Sequence, residues 1–303
     1  MMKFFRGNKN RQLLGLISPG ALWILLLFNL PLLIMLFISF VERGRAGGIK
    51  IPPVYTLSNY KLFFNSCASQ FAGAECDPFL YLGIFGHSVR IGVVVTFFCI
   101  LVGYPLAYFI AKQKPIWRDS LMILVIIPFW TNFLVRTYAL KQVLGTDGLL
   151  NTLLANLHLI NQPLEMLFNE FGVVIGLIYG YLPFAILPMY TSIEKFDHSL
   201  MEAAADLGAP PQRAFWRVML PMTLPGVIAA FVLVFVPVVG AFVTPDIMGG
   251  GKVEMIGTLI NRQFGVARNW PFGSAMSLIL MVLVLVGVIA YFRSSTEETR
   301  SGI

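Results

Sequence analysis

Charge is scarce in this sequence. Only 12% of its residues are Asp, Glu, Lys or Arg, about half the share that a soluble domain carries. A chain of 303 residues that is 57% hydrophobic cannot cover itself with a polar surface in water, which excludes a soluble globular protein. Histidine and cysteine number three each, and none of them stands at the spacing of a metal site. A Gly-x-x-x-x-Gly-Lys-Ser/Thr phosphate cradle is missing too. The Gly249-Gly250-Gly251-Lys252-Val253 run lacks both the spacing and the hydroxyl, so ATP hydrolysis is not expected of this chain alone. No basic stripe is interleaved with aromatic residues, so nucleic acid is not an expected partner.

Long apolar runs are what the sequence has instead. Six spans are expected, at about 13–40, 86–111, 119–142, 172–192, 223–245 and 273–292, each close to the roughly 20 apolar residues that cross a bilayer. The fold class is therefore an all-α polytopic membrane protein with six transmembrane helices. Residues 1–12 form an N-terminal segment, 13–292 the six-span domain and 293–303 a tail. The run from Leu13 to Phe40 follows Lys3, Arg6, Lys9 and Arg11. It is longer than the apolar stretch of a signal peptide and ends in bulky residues, so it reads as a retained helix.

Six spans place both termini on one side of the membrane, and the basic residues choose the side. With a cytoplasmic N-terminus, twelve of the 22 Lys and Arg residues fall in inner segments and eight in outer loops. The bias is strongest at the N-terminus and in the short 112–118 loop, which holds Lys112, Lys114 and Arg118. Both termini are read as cytoplasmic, and the net charge of +7 follows from the same bias.

The loops differ in character. Cys67 and Cys76 lie in the long outer loop 41–85, where an oxidising compartment would permit a disulfide; two free thiols fit the sequence equally. Cys99 lies within a span and reads as packing. The outer loop 143–171 carries an amphipathic piece at 148–154 that is too short to span. The inner loop 193–222 reads as helix, bend, helix. Ser199 is expected to cap the first piece with Glu202 as its capping-box partner, and Ala203 to Ala205 are strong helix formers. Gly208 stops that helix, and Pro210-Pro211 opens a second piece. Pro221 and Pro225 are expected to break the chain before the fifth span.

This loop resembles the EAA loop of ABC importer permeases: Glu-Ala-Ala, three residues, Gly, nine residues, Ile, one residue, Leu-Pro. Glu202, Ala203, Ala204, Gly208, Leu220 and Pro221 match at that spacing, with Val218 in place of the usual Ile. The resemblance implies the type I permease fold of ABC importers. It also implies that Glu202 to Gly208, Asp206 included, contact a separate ATPase, with Gly208 making the bend. Further segments are similar to the spermidine/putrescine permeases of the PotB-like branch. They are Pro128 to Tyr138, Tyr181 to Phe184, Leu187 to Tyr190, Asp206 to Ala209, Met248 to Gly250 and Asn269 to Gly273.

That resemblance implies a non-catalytic translocation subunit in a bacterial inner membrane, importing polyamines by alternating access. Its implied partners are an ATP-binding-cassette ATPase dimer, which holds the ATP and Mg, a second homologous permease subunit, an extracytoplasmic polyamine-binding protein and membrane lipid. The same class of permease could serve another small organic cation or amino compound. An ion-coupled secondary transporter would leave the coupling loop unexplained. A polyamine is an apolar chain bearing positive charges, so its route should offer ring faces and carboxylates. Trp130, Tyr138, Tyr181, Tyr190 and Asp246 are the candidates.

Overall fold

The computed structural model describes residues 9–45, 47–68 and 77–301, with side chains described between 17 and 289. Among these residues the chain is helical, apart from isolated β-bridges that pair Val41 with Tyr55 and Arg43 with Ile49. The helices are α1 (Lys9–Ile24), α2 (Leu30–Ser39), α3 (Ser58–Phe64), α4 (Leu80–Ala111), α5 (Pro115–Ile126), α6 (Phe133–Leu144) and α7 (Leu149–Asn156). They continue as α8 (Glu170–Glu194), α9 (Ser199–Asp206), α10 (Pro211–Ala214), α11 (Leu220–Val239), α12 (Val243–Gly249), α13 (Ile256–Phe264) and α14 (Trp270–Ser301).

Five stretches among the described residues are long and apolar enough to cross a membrane: Ile17–Ser39, Leu80–Ala111, Glu170–Glu194, Pro211–Val239 and Trp270–Ile289. A sixth forms only if Pro115–Trp130 and Phe133–Asn156, which meet at 94°, are taken as one span. The expected third span, 119–142, is thus bent in its middle rather than straight. The chain divides into two compact units, one of residues up to 79 with 260–287, the other of residues 80–259 with the end of the chain.

The larger unit is built on α4, α8 and α11. Tyr104, late in α4, bonds through its hydroxyl to Thr223 Oγ1, early in α11, at 2.8 Å. Gly92, early in α4, faces Val239 at the end of α11. These two helices are therefore antiparallel. Gly103 on α4 faces Met189 late in α8, and His87 meets Glu170 where both helices begin, so α4 and α8 run the same way. The seam is filled by Ile91, Val95 and Cys99 from α4, Val173, Leu177, Ile186 and Met189 from α8, and Val234 and Val238 from α11, all buried. Outward-facing residues are apolar as well, Phe97 and Leu101 on α4 among them, as a helix surrounded by lipid requires.

In the smaller unit, the turn after the first span is tied down by polar side chains. Asn59 Nδ2 donates to the carbonyls of Ser39 and Val41 at 2.8 and 3.0 Å, and the hydroxyls of Ser39 and Tyr60 lie 2.7 Å apart. Arg43 donates to the Ala267 carbonyl at 2.6 Å, and the Gly48 N–H donates to the Arg268 carbonyl at 2.7 Å. Cys67 is disulfide-bonded and Cys99 is a buried free thiol. Cys76, the candidate partner in the sequence, lies outside the described residues.

The fifth span departs from expectation at its start. Pro221 and Pro225 do not break it; the helix runs from Pro211 through to Val239. A proline removes one N–H and its ring crowds the carbonyl four residues back. The chain absorbs this with a wider π turn at Phe215–Met219, in which the Leu220 N–H reaches back to Phe215. A similar π turn at Leu25–Asn29 precedes Pro31 in the first span.

Gly226 permits a close approach of α11 to α8, since a Cβ there would lie 2.8 Å from the Pro188 carbonyl oxygen and collide with Ser192. Gly226→Val should therefore cost about 1–3 kcal/mol by overpacking, seen as a lowered midpoint of thermal unfolding in detergent. Gly86→Ala, where nothing lies within 4 Å of a new Cβ, should leave the midpoint unchanged or slightly raised.

Candidate functional site

Two regions bring the expected site residues into relation. The first is the loop from α8 to α11. Helix α9 ends in two hydrogen bonds that reverse the chain: Gly208 N–H to Ala205 O at 2.8 Å and Ala209 N–H to Ala204 O at 2.9 Å. That pairing needs a left-handed residue at the bend, and Gly208 supplies it at φ +79°. Helix α10 then starts at Pro211, where a missing N–H costs nothing. The result is an exposed rim carrying Glu202, Ala203, Asp206 and Gly208, with Ala204 half-buried behind it. Leu207 stands at the tip, 90% exposed. Leu220 is half-buried and Pro221 exposed, on the helical run that joins this loop to the span.

The start of α9 is capped differently from expectation. Ser199 is the first helical residue, and the carboxylate of Asp197 accepts its N–H at 3.0 Å; no Ser199–Glu202 capping box is formed. The Ser199 hydroxyl and N–H both bond to Asp197, and these bonds hold its carboxyl below the usual aspartate range. The signal was present in the sequence as Asp-x-Ser, an Asx turn, two residues before the serine. At the other end of this segment Arg118, on α5, forms an ion pair with Glu194 at 3.0 Å.

The second region is the bend in the third span. Helix α5 passes into a 3-10 turn, Ile127–Trp130. The chain breaks at Thr131, and α6 begins with Asn132 capping the Leu134 N–H at 2.8 Å. Trp130 therefore sits at the break and is 85% exposed, not inside a continuous helix. Tyr138 is exposed on α6, which packs against α8 and α12. Asp246 is exposed on α12. Tyr181 is half-buried at mid-α8, its ring 6.1 Å from Phe184, which meets Phe129 edge-on at 5.3 Å. Tyr190 is buried late in α8. The bend and α12 thus place Trp130, Tyr138 and Asp246 on the elements around α8, with Tyr190 set apart toward the α8–α9 loop.

Arg136, in the first turns of α6, is buried and has no carboxylate partner among the described residues. An unpaired charge at membrane depth costs roughly 2.5–3.5 kcal/mol or more. Here the guanidinium lies 4.4 Å from the Phe129 ring centre, 5.6 Å from Phe133 and 5.9 Å from Tyr179. Ring faces attract a cation, and so offset part of that cost. Near the beginning of α4 and α8, Glu170 joins Arg90 at 2.5 Å and His87 at 3.2 Å. The loop carboxylate Asp147 borders a groove of about 310 Å³ shared with Asn151, Asn161 and Gln162. Sequence reading could not find the Glu170 cluster, because its members are far apart in the chain and carry no local pattern.

The Asp197 cap makes a prediction. Because its pKa is depressed, the stabilisation is complete above the usual aspartate value of 3.8 and is lost as pH falls through the lower folded value. At neutral pH, Asp197→Ala should speed amide hydrogen exchange at Ser199–Glu202, whereas Asp197→Asn, which keeps an acceptor oxygen, should change it little.

Residues 103–295 match the family described as "Binding-protein-dependent transport system inner membrane component". The chain is 40% identical to the spermidine/putrescine transport system permease protein PotB of Haemophilus influenzae, over 90% of each chain. It is 41% identical to PotB of Escherichia coli, over 90% of this chain and 94% of that one. The inner membrane ABC transporter permease protein YdcU of Escherichia coli is 28% identical over 93% of this chain and 89% of its own. Among solved structures, a chain of a bacterial ABC transporter that imports the acidic polysaccharide alginate aligns with a TM-score of 0.68 over 95% of this chain and 96% of that one, at 16% identity, which speaks for the fold alone. With well over half its length matched to the family, and with the helix–bend–helix loop in place, the chain belongs to the binding-protein-dependent transport system inner membrane components, in the PotB-like branch of the ABC importer permeases.

Proposed function

We propose that this chain is the membrane-spanning permease subunit of an importer for polyamines such as spermidine and putrescine. The observation that carries the reading is the 40–41% identity to PotB proteins over nine-tenths of the chain. The Schellman-type bend at Gly208 supports it. That bend leaves the Glu202-to-Gly208 rim exposed and leads through Ala209 and Pro210 into the continuous helical run Pro211–Val239.

In this reading the termini and the α9–α10 loop face the cytoplasm, in accord with the positive-inside bias. An ATPase dimer docks on the exposed rim of α9. Because α10, the π turn and α11 form one continuous run, displacement of the rim tilts the fifth span. Gly226 sets α11 against α8, so α8 is carried along. A second permease subunit completes the passage, and a binding protein delivers cargo from the other face. Trp130, Tyr138, Tyr181 and Asp246 serve the route: a ring face or a carboxylate attracts an ammonium group while the methylenes pass along apolar wall.

Uptake of labelled spermidine and putrescine, in cells lacking polyamine import, tests the reading. Uptake should need this chain together with an ATPase, a second permease and a binding protein of the same system. Uptake by this chain alone would overturn it. Trp130→Ala should cut uptake at least tenfold while the complex still assembles; cation–π contacts of up to about 2 kcal/mol correspond to such a factor. Gly208→Asp puts a side chain at positive φ on the rim and should leave ATP hydrolysis running while uptake is lost; normal transport in that variant would remove the docking assignment.

A further inference from the structure

We propose that Arg136 is the positioning residue of the bent third span: its guanidinium pins the 3-10 turn to α6 and α8, and so fixes how Trp130 is presented to cargo. The functional half of this inference rests on the assignment of Trp130 to the route.

The geometry of the break supplies the reason. When a helix stops inside a membrane protein, its last carbonyls lose their backbone donors and must find others. At this break the Pro128 carbonyl receives two side-chain donors. The Thr131 hydroxyl donates at 2.6 Å from the same turn, and Arg136 Nη1 donates at 3.2 Å from the far side of the break. The threonine bond is local and says nothing about the direction of α6. The arginine bond spans the break and therefore constrains the angle. The rings add two further constraints. Phe129 belongs to the 3-10 turn, Phe133 to α6 and Tyr179 to α8, and the one guanidinium faces all three. A planar fork can stack on rings and donate at its edge at once; an ammonium cannot match that geometry. The charge is also covered by ring faces, so it is not offered to a cationic cargo. Trp130 directly follows the Phe129 that this cation holds and is left exposed at the corner.

The test uses the assembled transporter with its partner subunits. Nitroxide labels at Leu124→Cys on α5 and Val135→Cys on α6, both exposed positions, in a Cys99→Ser background, report the angle of the bend. With Arg136 present, one narrow distance distribution is expected. Arg136→Met, which keeps bulk and removes charge, should broaden it, and Arg136→Lys should fall between. In uptake assays Arg136→Met should raise the KM for spermidine about tenfold, the order of one lost cation–ring contact, with cargo-independent ATP hydrolysis unchanged. A purely structural role would instead lower the amount of assembled complex and its ATP hydrolysis together, leaving KM alone. If Arg136→Met does not assemble, Phe129→Leu, which removes the nearest ring and keeps the cation, is measured in its place. An unchanged distribution in that variant and in Arg136→Lys would overturn the staple. Normal uptake by Trp130→Ala with a broadened Arg136→Met distribution would instead discard the route assignment and keep the staple. Loss of uptake in Trp130→Ala with an unchanged Arg136→Met distribution would do the reverse.

Discussion

Backbone hydrogen bonding at membrane depth is the constraint on which the rest of this structure depends. No water is present there to satisfy a freed N–H or C=O, so every interruption of a helix must be repaired by the protein. The sequence nevertheless places prolines throughout its spans, among its 18 in all. At three of them, Pro31, Pro128 and Pro221, the structure shows a specific device. π turns precede Pro31 and Pro221. The Thr223 hydroxyl returns a bond to the Met219 carbonyl at 2.9 Å and meets Tyr104 as well. Thr131 and Arg136 serve the Pro128 carbonyl at the sharpest break.

These repairs set the geometry of the two regions to which transport roles are proposed. A straight, proline-free third span would have no corner at which to expose Trp130. A broken entry into α11 would separate the α9 rim from the span it is proposed to move. The chain instead has a sharp bend in one place and an unbroken run in the other. Glycine serves the same end at two positions: Gly208 supplies the positive φ of the rim, and Gly226 brings α11 against α8.

Electrostatics follows the same economy. Charges are few, and most of those within the bundle are matched. Glu170 holds Arg90 and His87 where α4 and α8 begin, and Glu194 holds Arg118 where α8 ends. Arg136 is matched by ring faces and a carbonyl instead of an acid. For a passage proposed to carry polycations this matters, because a carboxylate spent on Arg136 would be one withdrawn from the route.

Sequence alone determined the class, the apolar runs and the helix–bend–helix form of the α9–α10 loop. Hydropathy over about 20 residues is a local sum, and a helix–Gly–Pro–helix pattern is local chemistry; both can be read without knowing the neighbours. Gly208 and the α9 rim were legible for that reason, as was the short helix near 148–154, seen as α7. Tertiary structure decided the rest. Whether Pro221 breaks a helix depends on whether a π turn can be packed, here against Tyr104, whose ring lies 5.8 Å from Phe215. Whether Pro128 and Asn132 bend a span by 94° depends on an arginine eight residues on finding rings from another helix. The cap of α9 is different in kind: Asp197 and Ser199 form a local Asx turn that the sequence does carry, as Asp-x-Ser. Partners three or four residues away, such as Thr131 and Thr223, lie within a local window; partners on another helix, such as Tyr104 and Tyr179, are delivered by the fold, and no local window of sequence contains them.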